Sequence, residues 1–422
     1  MKILKILGNL NSAIGILLLI AFFSIFGTIL EQNQSIEFYK VNYPDNGNFI
    51  NWKLIQLFSL DHVYSTWWFL FLLFIFGLSL LTCTFSRQIP ILKIGQRWFF
   101  YKNKDQLNKF LYRENLSCSN TFKFIYSLNQ DSYSILQQGN RFYANKGLLG
   151  RISPIVVHFS LILVLLGSIS GSLFGFTNQE LIPKGETFHI QNILSEGFLS
   201  PVTQSLAVRV NDFWFDYKSD QVSIEQFYSD LSILTPLGFE KVHKTIFVNR
   251  PLNFNQLTFY QTDWNISSIR LKLNKVIQLP IRNLITENKS KIWFTTFRLS
   301  SNPEDTFSIV FQNIHNNFII YNSKGEQLKQ VQINEPFYLG DKEVILFDLI
   351  NTTGLQIKFD PGIILVYFGF GLLIISVFSS YISHSQVWGL KTQLDFSIGG
   401  STNREQVFFE QELKTILRKL NK

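Results

Sequence analysis

The chain alternates between long apolar segments and polar ones. Four apolar segments lack Asp, Glu, Lys and Arg over about 20 residues, the length that a helix needs to cross the hydrocarbon core of a bilayer. They lie at 11–30, 65–85, 153–176 and 361–382. A helix buried in a soluble core can be equally apolar, but four such segments separated by polar chain favour transmembrane helices. The first is too long for the apolar region of a signal peptide, so we interpret it as an uncleaved span.

The polar segment 177–360 has a different periodicity. Apolar and polar residues alternate in it, for example at Leu206, Val208 and Val210. A period of two, bounded by Pro, Asn and Gly, is typical of β-strands. The predicted fold class is therefore membrane α + β: four transmembrane helices with a large antiparallel β-rich domain between helices three and four. A hairpin is also predicted at Ser132–Ala144, around Gln138-Gly139-Asn140.

These patterns divide the chain into eight predicted regions. They are the N-terminus with helix 1 (1–30), a short loop (31–64), helix 2 (65–85), a basic loop (86–152), helix 3 (153–176), the β-rich domain (177–360), helix 4 (361–382) and a C-terminal tail (383–422).

Composition agrees with a chain partly solvated by lipid. Charged residues make up 16% of the sequence and Phe is abundant, at 43 residues. The net charge is +8, but Lys and Arg are spread along the polar segments instead of forming one basic arm. We therefore predict no nucleic-acid binding and relate the positive charge to membrane orientation.

The distribution of Lys and Arg predicts which regions share a side of the membrane. The 86–152 loop and the 383–422 tail are both basic, whereas the 31–64 loop carries only Lys40 and Lys53. The positive-inside rule thus places both termini and the 86–152 loop in the cytoplasm or stroma. The 31–64 loop and the 177–360 domain then face the opposite, trans compartment.

Cysteine chemistry is not indicated. The two cysteines, Cys83 and Cys118, form no CxxC motif, which argues against a thiol redox site or a cysteine-ligated metal site. The predicted topology places both on or near the reducing side, so it also excludes a structural disulfide in the trans compartment.

His158 is the most informative of the six histidines. It lies inside the third predicted span, between Val157 and Phe159. An ionisable side chain within a span indicates a functional site, because burying it without a partner costs several kcal/mol. From the residues alone, a neutral imidazole there is an iron ligand, a proton relay or a hydrogen-bonding strut.

The other five histidines carry no clear signal. His62 and His384 flank spans and are expected to be solvated, while His189, His243 and His315 fall in the β-rich domain. No HExxH, CxxCH, P-loop, GxSxG or dinucleotide-binding pattern occurs.

The third span also carries a glycine ladder. Gly167, Gly171 and Gly175 recur every four residues. Such a ladder predicts that another helix packs closely against this span, either within the bundle or from a partner. The aromatic residues near the ends of the spans are interpreted mainly as membrane anchors.

Several stretches resemble a known family. They are DHVYSTWWF at 61–69, PIVVHFSLILVLLGSISG at 154–171, KTIFVNRPLNFNQLTFYQTDWNI at 244–266, DPGIILVYFGFGLLIISVFSSYISHSQVW at 360–388 and GGSTNREQVFFEQEL at 399–413. Their sequence and order resemble the ResB-type membrane protein of system II c-type cytochrome biogenesis, in its plastid and cyanobacterial form. One departure is GTILEQ at the end of the first span, where relatives often have Pro before the Gln.

The resemblance implies a function and a cofactor. It implies delivery of heme and its attachment to apocytochromes c, such as cytochromes f and c6, together with a tryptophan-rich heme-handling membrane protein. The chain would be an assembly factor, or the non-autonomous half of a cytochrome c heme-lyase complex. The implied cofactor is transient, non-covalent heme, for which His158 matches the family's ligand position as both cofactor-binding and metal-binding residue.

The resemblance also implies a location. The expected site is the chloroplast thylakoid membrane, with both termini stromal and the 177–360 domain lumenal. Coding bias and the lack of a transit peptide favour a plastid-encoded protein. The competing interpretations are a stand-alone small-molecule or heme transporter and a membrane scaffold that presents the β domain.

Overall fold

A computed structural model describes most of the chain. The described residues are 2–45, 50–117, 121–201, 206–217, 224–285, 291–300, 305–312, 318–340, 342–392 and 395–420. Cys118 and His315 lie outside them. The chain divides into two compact units, one formed by Met1–Ser172 with Gly362–Lys422 and the other by Leu173–Pro361.

The helices of the first unit include all the apolar segments. The α-helices are α1 (Lys2–Leu7), α2 (Leu10–Ile29), α3 (Ile36–Asn42), α4 (Trp52–Leu57), α5 (Trp67–Cys83), α6 (Ile89–Gln96), α7 (Lys104–Leu107), α8 (Thr121–Gln130), α9 (Leu149–Phe174), α10 (Ile363–Ser380) and α11 (Gln406–Leu420). A 3₁₀-helix covers Leu60–Ser65, and a π-helical turn, Thr84–Gln88, joins α5 to α6.

Four helices confirm the predicted transmembrane architecture. Among the described residues, those long and apolar enough to cross a membrane are Leu10–Ile29, Trp67–Gln96, Leu149–Phe174 and Ile363–Ser380. The second is longer than the predicted span 65–85, because the π-turn and α6 continue it. The third begins at Leu149 and not at Ser153.

Two residues of the predicted glycine ladder, Gly167 and Gly171, pack against the fourth span, whereas Gly175 lies just beyond the end of α9. A Cβ on Gly167 would lie 2.8 Å from the carbonyl oxygen of Gly362, and a Cβ on Gly362 would lie 3.0 Å from the Gly171 amide nitrogen. Further along, a Cβ on Gly369 would lie 3.0 Å from the Ser160 carbonyl oxygen. The backbones of α9 and α10 therefore approach closely through small residues, within this chain.

The first two spans are joined through Tyr64 and a polar contact near the N-terminus. The Tyr64 ring packs on Gly27 of α2, and its hydroxyl lies 3.2 Å from Thr28 Oγ1. At the other end, Ser79 of α5 donates a hydrogen bond of 2.7 Å to the Leu7 carbonyl oxygen. The first contact thus joins the start of the second span to α2, and the second contact joins α5 to α1, which precedes the first span.

The 86–152 loop and the 383–422 tail, predicted as separate polar regions, share one antiparallel sheet. Its strands are β1 (Tyr112–Ser117), β2 (Ser134–Gln138), β3 (Arg141–Lys146), β20 (Ser385–Lys391) and β21 (Asp395–Thr402), in the order β1-β21-β20-β3-β2. Strands β2 and β3 form the predicted hairpin. Helices α8 and α11 contribute Phe124, Leu128, Phe409 and Leu413 to its core.

The second unit is built from strands, as the period-two pattern predicts. They are β4 (Phe176–Pro183), β5 (Thr187–His189), β6 (Ile193–Glu196), β7 (Ala207–Tyr217), β8 (Ile224–Leu234), β9 (Glu240–Phe247), β10 (Leu252–Phe254), β11 (Leu257–Lys272), β12 (Val276–Pro280), β13 (Arg282–Ile285), β14 (Lys291–Arg298), β15 (Thr306–Phe311), β16 (Phe318–Tyr321), β17 (Gln327–Val331), β18 (Pro336–Leu339) and β19 (Lys342–Phe359). All the strand pairs in the described residues are antiparallel.

Two long strands connect the two cores of this unit. Strands β11 and β19 pair from Leu257↔Phe359 to Lys272↔Ile345. One core surrounds Phe259 and Leu355, and the other surrounds Leu271 and Leu346. Where the chain enters and leaves the unit, Phe176 pairs with Phe359 and their ring centroids lie 5.7 Å apart.

Candidate functional site

His158 lies on α9 and faces the end of the second span. Its Nδ1 is 3.0 Å from Thr84 Oγ1 and 3.4 Å from the Leu80 carbonyl oxygen. Its Nε2 is 3.0 Å from Gln88 Nε2. Both nitrogens of this half-buried ring therefore contact one short segment of the chain.

That segment contains the π-helical turn. Pro90 follows it, in the first turn of α6. A proline inside a continuous helix cannot donate to the carbonyl four residues earlier, here that of Ser86, and its ring crowds that carbonyl. This explains why the helix widens at Thr84–Gln88. Turns of this type occur frequently at functional sites.

The hydrogen bonds define the form of the imidazole. Thr84 Oγ1 donates its one proton to the Leu80 carbonyl oxygen at 2.8 Å. Thr84 Oγ1 is therefore left to accept a hydrogen bond from His158 Nδ1. The Gln88 amide nitrogen can only donate, so His158 Nε2 accepts. The network thus fits a neutral imidazole that is protonated at Nδ1 and directs the lone pair of Nε2 towards Gln88.

Only one of the two polar atoms of the Gln88 side chain, Nε2, has a hydrogen-bond partner in this arrangement. Its Oε1 is buried and has no hydrogen-bond partner in the part of the chain that the structure describes. An unsatisfied buried acceptor costs about 1–3 kcal/mol. The amide that covers His158 Nε2 is therefore held weakly, and moving it would free the lone pair for another ligand.

The neutral His158 lone pair would suit a single ligand to heme iron, and the donor set does not resemble a conventional metal site. No group of three or more His, Cys, Asp and Glu side chains that could hold a metal ion occurs among the described residues. A single neutral histidine supplies one axial ligand to heme iron. The Thr84 contact to Nδ1 is the kind of outer contact that orients such a ligand.

Three other histidines, the partly exposed His62 and the exposed His189 and His243, lie away from this site. His62 Nδ1 is 3.0 Å from an Asp61 carboxylate oxygen. His243 Nε2 is 2.7 and 2.8 Å from the two Asp230 carboxylate oxygens, and this hydrogen bond raises the pKa of His243. His189 Nδ1 contacts a backbone carbonyl at 3.1 Å. None of the three shares a cluster with His158.

His384 is buried, whereas the sequence predicts a solvated residue at this position. It is 1% exposed, and its Nδ1 accepts a hydrogen bond of 3.0 Å from Arg151 Nε. Its Nε2 has no hydrogen-bond partner among the described residues. Glycines at 147 and 150 allow the backbone of 382–383 to approach α9 and bury this ring. Burial, and then the Arg151 charge, lower the pKa of His384 to about 4.

This buried histidine predicts a loss of stability in acid. The unfolded chain binds a proton near the ordinary pKa of 6.5, whereas the folded chain binds it only near 4. Stability is therefore complete above pH 6.5 and falls by up to about 3 kcal/mol as the pH is lowered to 4. The measurement is the thermal unfolding midpoint in detergent between pH 7.5 and 4. His384→Gln keeps an acceptor for Arg151 but cannot titrate, and an unchanged pH dependence in this variant would contradict the assignment.

Comparison with known proteins covers nearly the whole chain. The cytochrome c biogenesis protein Ccs1 of Porphyra purpurea is 44% identical over 425 residues, which are 100% of this chain and 96% of the relative. The protein of the same name from Trieres chinensis is 44% identical over 99% of both chains. The cytochrome c biogenesis protein CcsB of Nostoc sp. is 44% identical over 100% of this chain and 93% of its own length.

A family match agrees with these relatives. The ResB-like family matches residues 10–313 and 275–414, which include all four apolar helices and the strands between the third and fourth. The relatives come from cyanobacterial and plastid sources, and the alignments cover 93% or more of each relative. The chain is therefore a membrane protein that belongs to the ResB-like family.

Proposed function

We propose that this protein acts in the biogenesis of c-type cytochromes, at the step of heme delivery and attachment to the apocytochrome. The observation that carries the proposal is the neutral His158, whose Nε2 lone pair points to a weakly held amide between two spans. The full-length relatives, which are named cytochrome c biogenesis proteins, support the same process.

His158 would hold heme iron through Nε2. Thr84 fixes the ring by accepting the Nδ1 proton, so the lone pair keeps one direction. Gln88 Nε2 donates to this lone pair, so its amide would have to turn away for His158 to hold the iron. A heme held in this way would supply redox chemistry, and the His158 ligand and the burial of the site would tune its potential.

A second protein completes the proposed site. His158 would supply one ligand to the heme iron, and no second histidine lies beside it in the described residues. We propose that a tryptophan-rich heme-handling membrane protein supplies the other ligand. Apocytochromes such as cytochromes f and c6 would then receive the heme, and the two proteins together would act as the heme lyase.

The proposed orientation follows the positive charges. Both termini and the sheet formed by β1–β3, β20 and β21 would face the stroma of a plastid, and the unit Leu173–Pro361 would face the thylakoid lumen. Apocytochromes would arrive on that side. Protection of this unit from protease in sealed thylakoids tests the orientation, and cleavage from the stromal side would contradict it.

Deletion of the gene tests the function. We expect a deletion strain to lose covalently heme-stained c-type cytochromes while its b-type cytochromes remain, because only c-type cytochromes need covalent attachment. Re-expression of the wild-type chain should restore them. Equal loss of both types would indicate general heme supply, and normal c-type cytochromes would contradict the proposal.

A further inference from the structure

The unit Leu173–Pro361 exposes an unusual set of apolar side chains. Among its described residues, the three most exposed large hydrophobic side chains are Phe198, Leu237 and Phe239, at 93%, 83% and 70%. They lie on two turns that are separate in sequence. We call these three residues the apolar rim.

The first turn is tied to the end of the third span. Gly197 donates a backbone hydrogen bond of 2.8 Å to the Gly175 carbonyl oxygen, and Leu199 donates one of 2.9 Å to the Leu173 carbonyl oxygen. Phe198 lies between these two anchored residues. Its position is thus fixed next to the last turn of α9, which ends at Phe174.

The second turn lies at the same end of the unit. It joins β8 to β9 and is closed by a hydrogen bond of 2.8 Å from Thr235 to the Phe239 carbonyl oxygen. The Nζ of Lys241, two residues later, is 5.3 Å from the centroid of the Phe254 ring. Phe254 pairs with Leu257, which in turn pairs with Phe359.

Phe359 and Leu173 lie where the chain passes between this unit and the two apolar helices α10 and α9. Phe359 is the last residue of β19, four positions before α10 begins at Ile363, and Leu173 belongs to the last turn of α9. Both helices are apolar and long enough to span a bilayer. The end of the unit that carries the apolar rim is therefore the end from which two spans enter the bilayer.

We propose that the apolar rim inserts into the lipid–water interface of the bilayer. Transfer of three large apolar side chains out of water is favourable in proportion to the apolar area removed, so together they would hold the unit at the surface. Aromatic residues are favoured at the level of the lipid headgroups. Two short turns with one or two apolar side chains each suit shallow insertion better than they suit an extended protein interface.

Site-specific quenching tests the insertion. A bimane label would be attached to Phe198→Cys, Leu237→Cys or Phe239→Cys in the full chain, in a Cys83→Ser/Cys118→Ser background. Each protein would be placed in nanodiscs of phosphatidylglycerol and phosphatidylcholine, with and without a lipid that carries a nitroxide near its headgroup. We expect blue-shifted emission and several-fold stronger quenching at all three positions than at the control.

Tyr338→Cys is the matched control. Tyr338 is 67% exposed and lies on β18, which pairs with the opposite end of β19 from Phe359. The 18 residues of β19 span up to roughly 60 Å, beyond the reach of an interfacial nitroxide. Quenching at the rim equal to that at Tyr338→Cys would overturn the proposal. So would rim labels that stay unquenched by lipid and become shielded only when an apocytochrome is added.

Discussion

The His158→Ala protein, purified in complex with its heme-handling partner, is expected to lose the heme absorbance of the wild-type complex. Alanine removes the Nε2 lone pair, and no second histidine lies beside His158 in the described residues to replace it. The change leaves a small cavity next to Thr84 and Gln88 but does not disturb the close α9–α10 contact. The measurement is the reduced-minus-oxidised absorbance spectrum of equal amounts of the two complexes, with c-type cytochromes measured in the same strains.

Three further variants separate ligation from a structural role. Thr84→Val removes the nearer of the two acceptors for Nδ1 and should weaken heme binding about 10–100-fold, as loss of an orienting contact does. Gln88→Leu should retain heme, because the lone pair of Nε2 is still present. His189→Ala, an exposed histidine of the β-rich unit, should leave the spectrum unchanged. Full heme absorbance in the His158→Ala complex would make His158 a hydrogen-bonding strut.

The second large effect is expected at Gly362. Replacing it by leucine puts a Cβ into the space that the Gly167 carbonyl oxygen occupies. The obstacle is backbone and cannot rotate away, so α9 and α10 must separate. Overpacking of a tight contact costs about 1–3 kcal/mol, and a clash with backbone lies at or above the upper end of this range. We expect a large fall in the thermal unfolding midpoint in detergent and in the yield of folded protein.

Gly371 provides the control for this prediction. It lies inside α10, whose N-cap residue is Gly362, and a Cβ added there would meet nothing within 4 Å. Gly371→Leu should therefore leave stability close to wild type, although it adds the same side-chain volume as Gly362→Leu. If the two variants were equally stable, the close approach of α9 and α10 would not contribute to the fold.

The sequence predicts the features that depend on local pattern. A segment of about 20 residues without charge identifies each span, because lipid surrounds every residue of the segment. Alternation of apolar and polar residues at Leu206–Val210 identifies strands, because alternate residues of a half-buried sheet face the core. His158 is also predictable, since an ionisable residue within a span is rare and costly. In the candidate site, it is the one residue that sequence reasoning identifies.

The features that sequence reasoning misses depend on distant contacts. Thr84 and Gln88 look like ordinary residues after a span, and the signal that could have identified them is Pro90, which widens the helix around them. His384 is buried because two glycines let distant backbone approach. The register that pairs Ser385 with Lys146 joins residues far apart in sequence, and no local periodicity encodes it.

The strand pair next to α9 and α10 in the first unit has a mechanical consequence. Strands β3 and β20 pair next to one end of the two helices, and glycine contacts join the helices further along. With this ladder of backbone hydrogen bonds and these close contacts, α9 cannot slide or rotate along α10 without breaking one of them. The α9–α10 hairpin therefore behaves as a rigid frame. Any movement that opens His158 must come from the opposite side of the ring, where the π-turn holds Gln88.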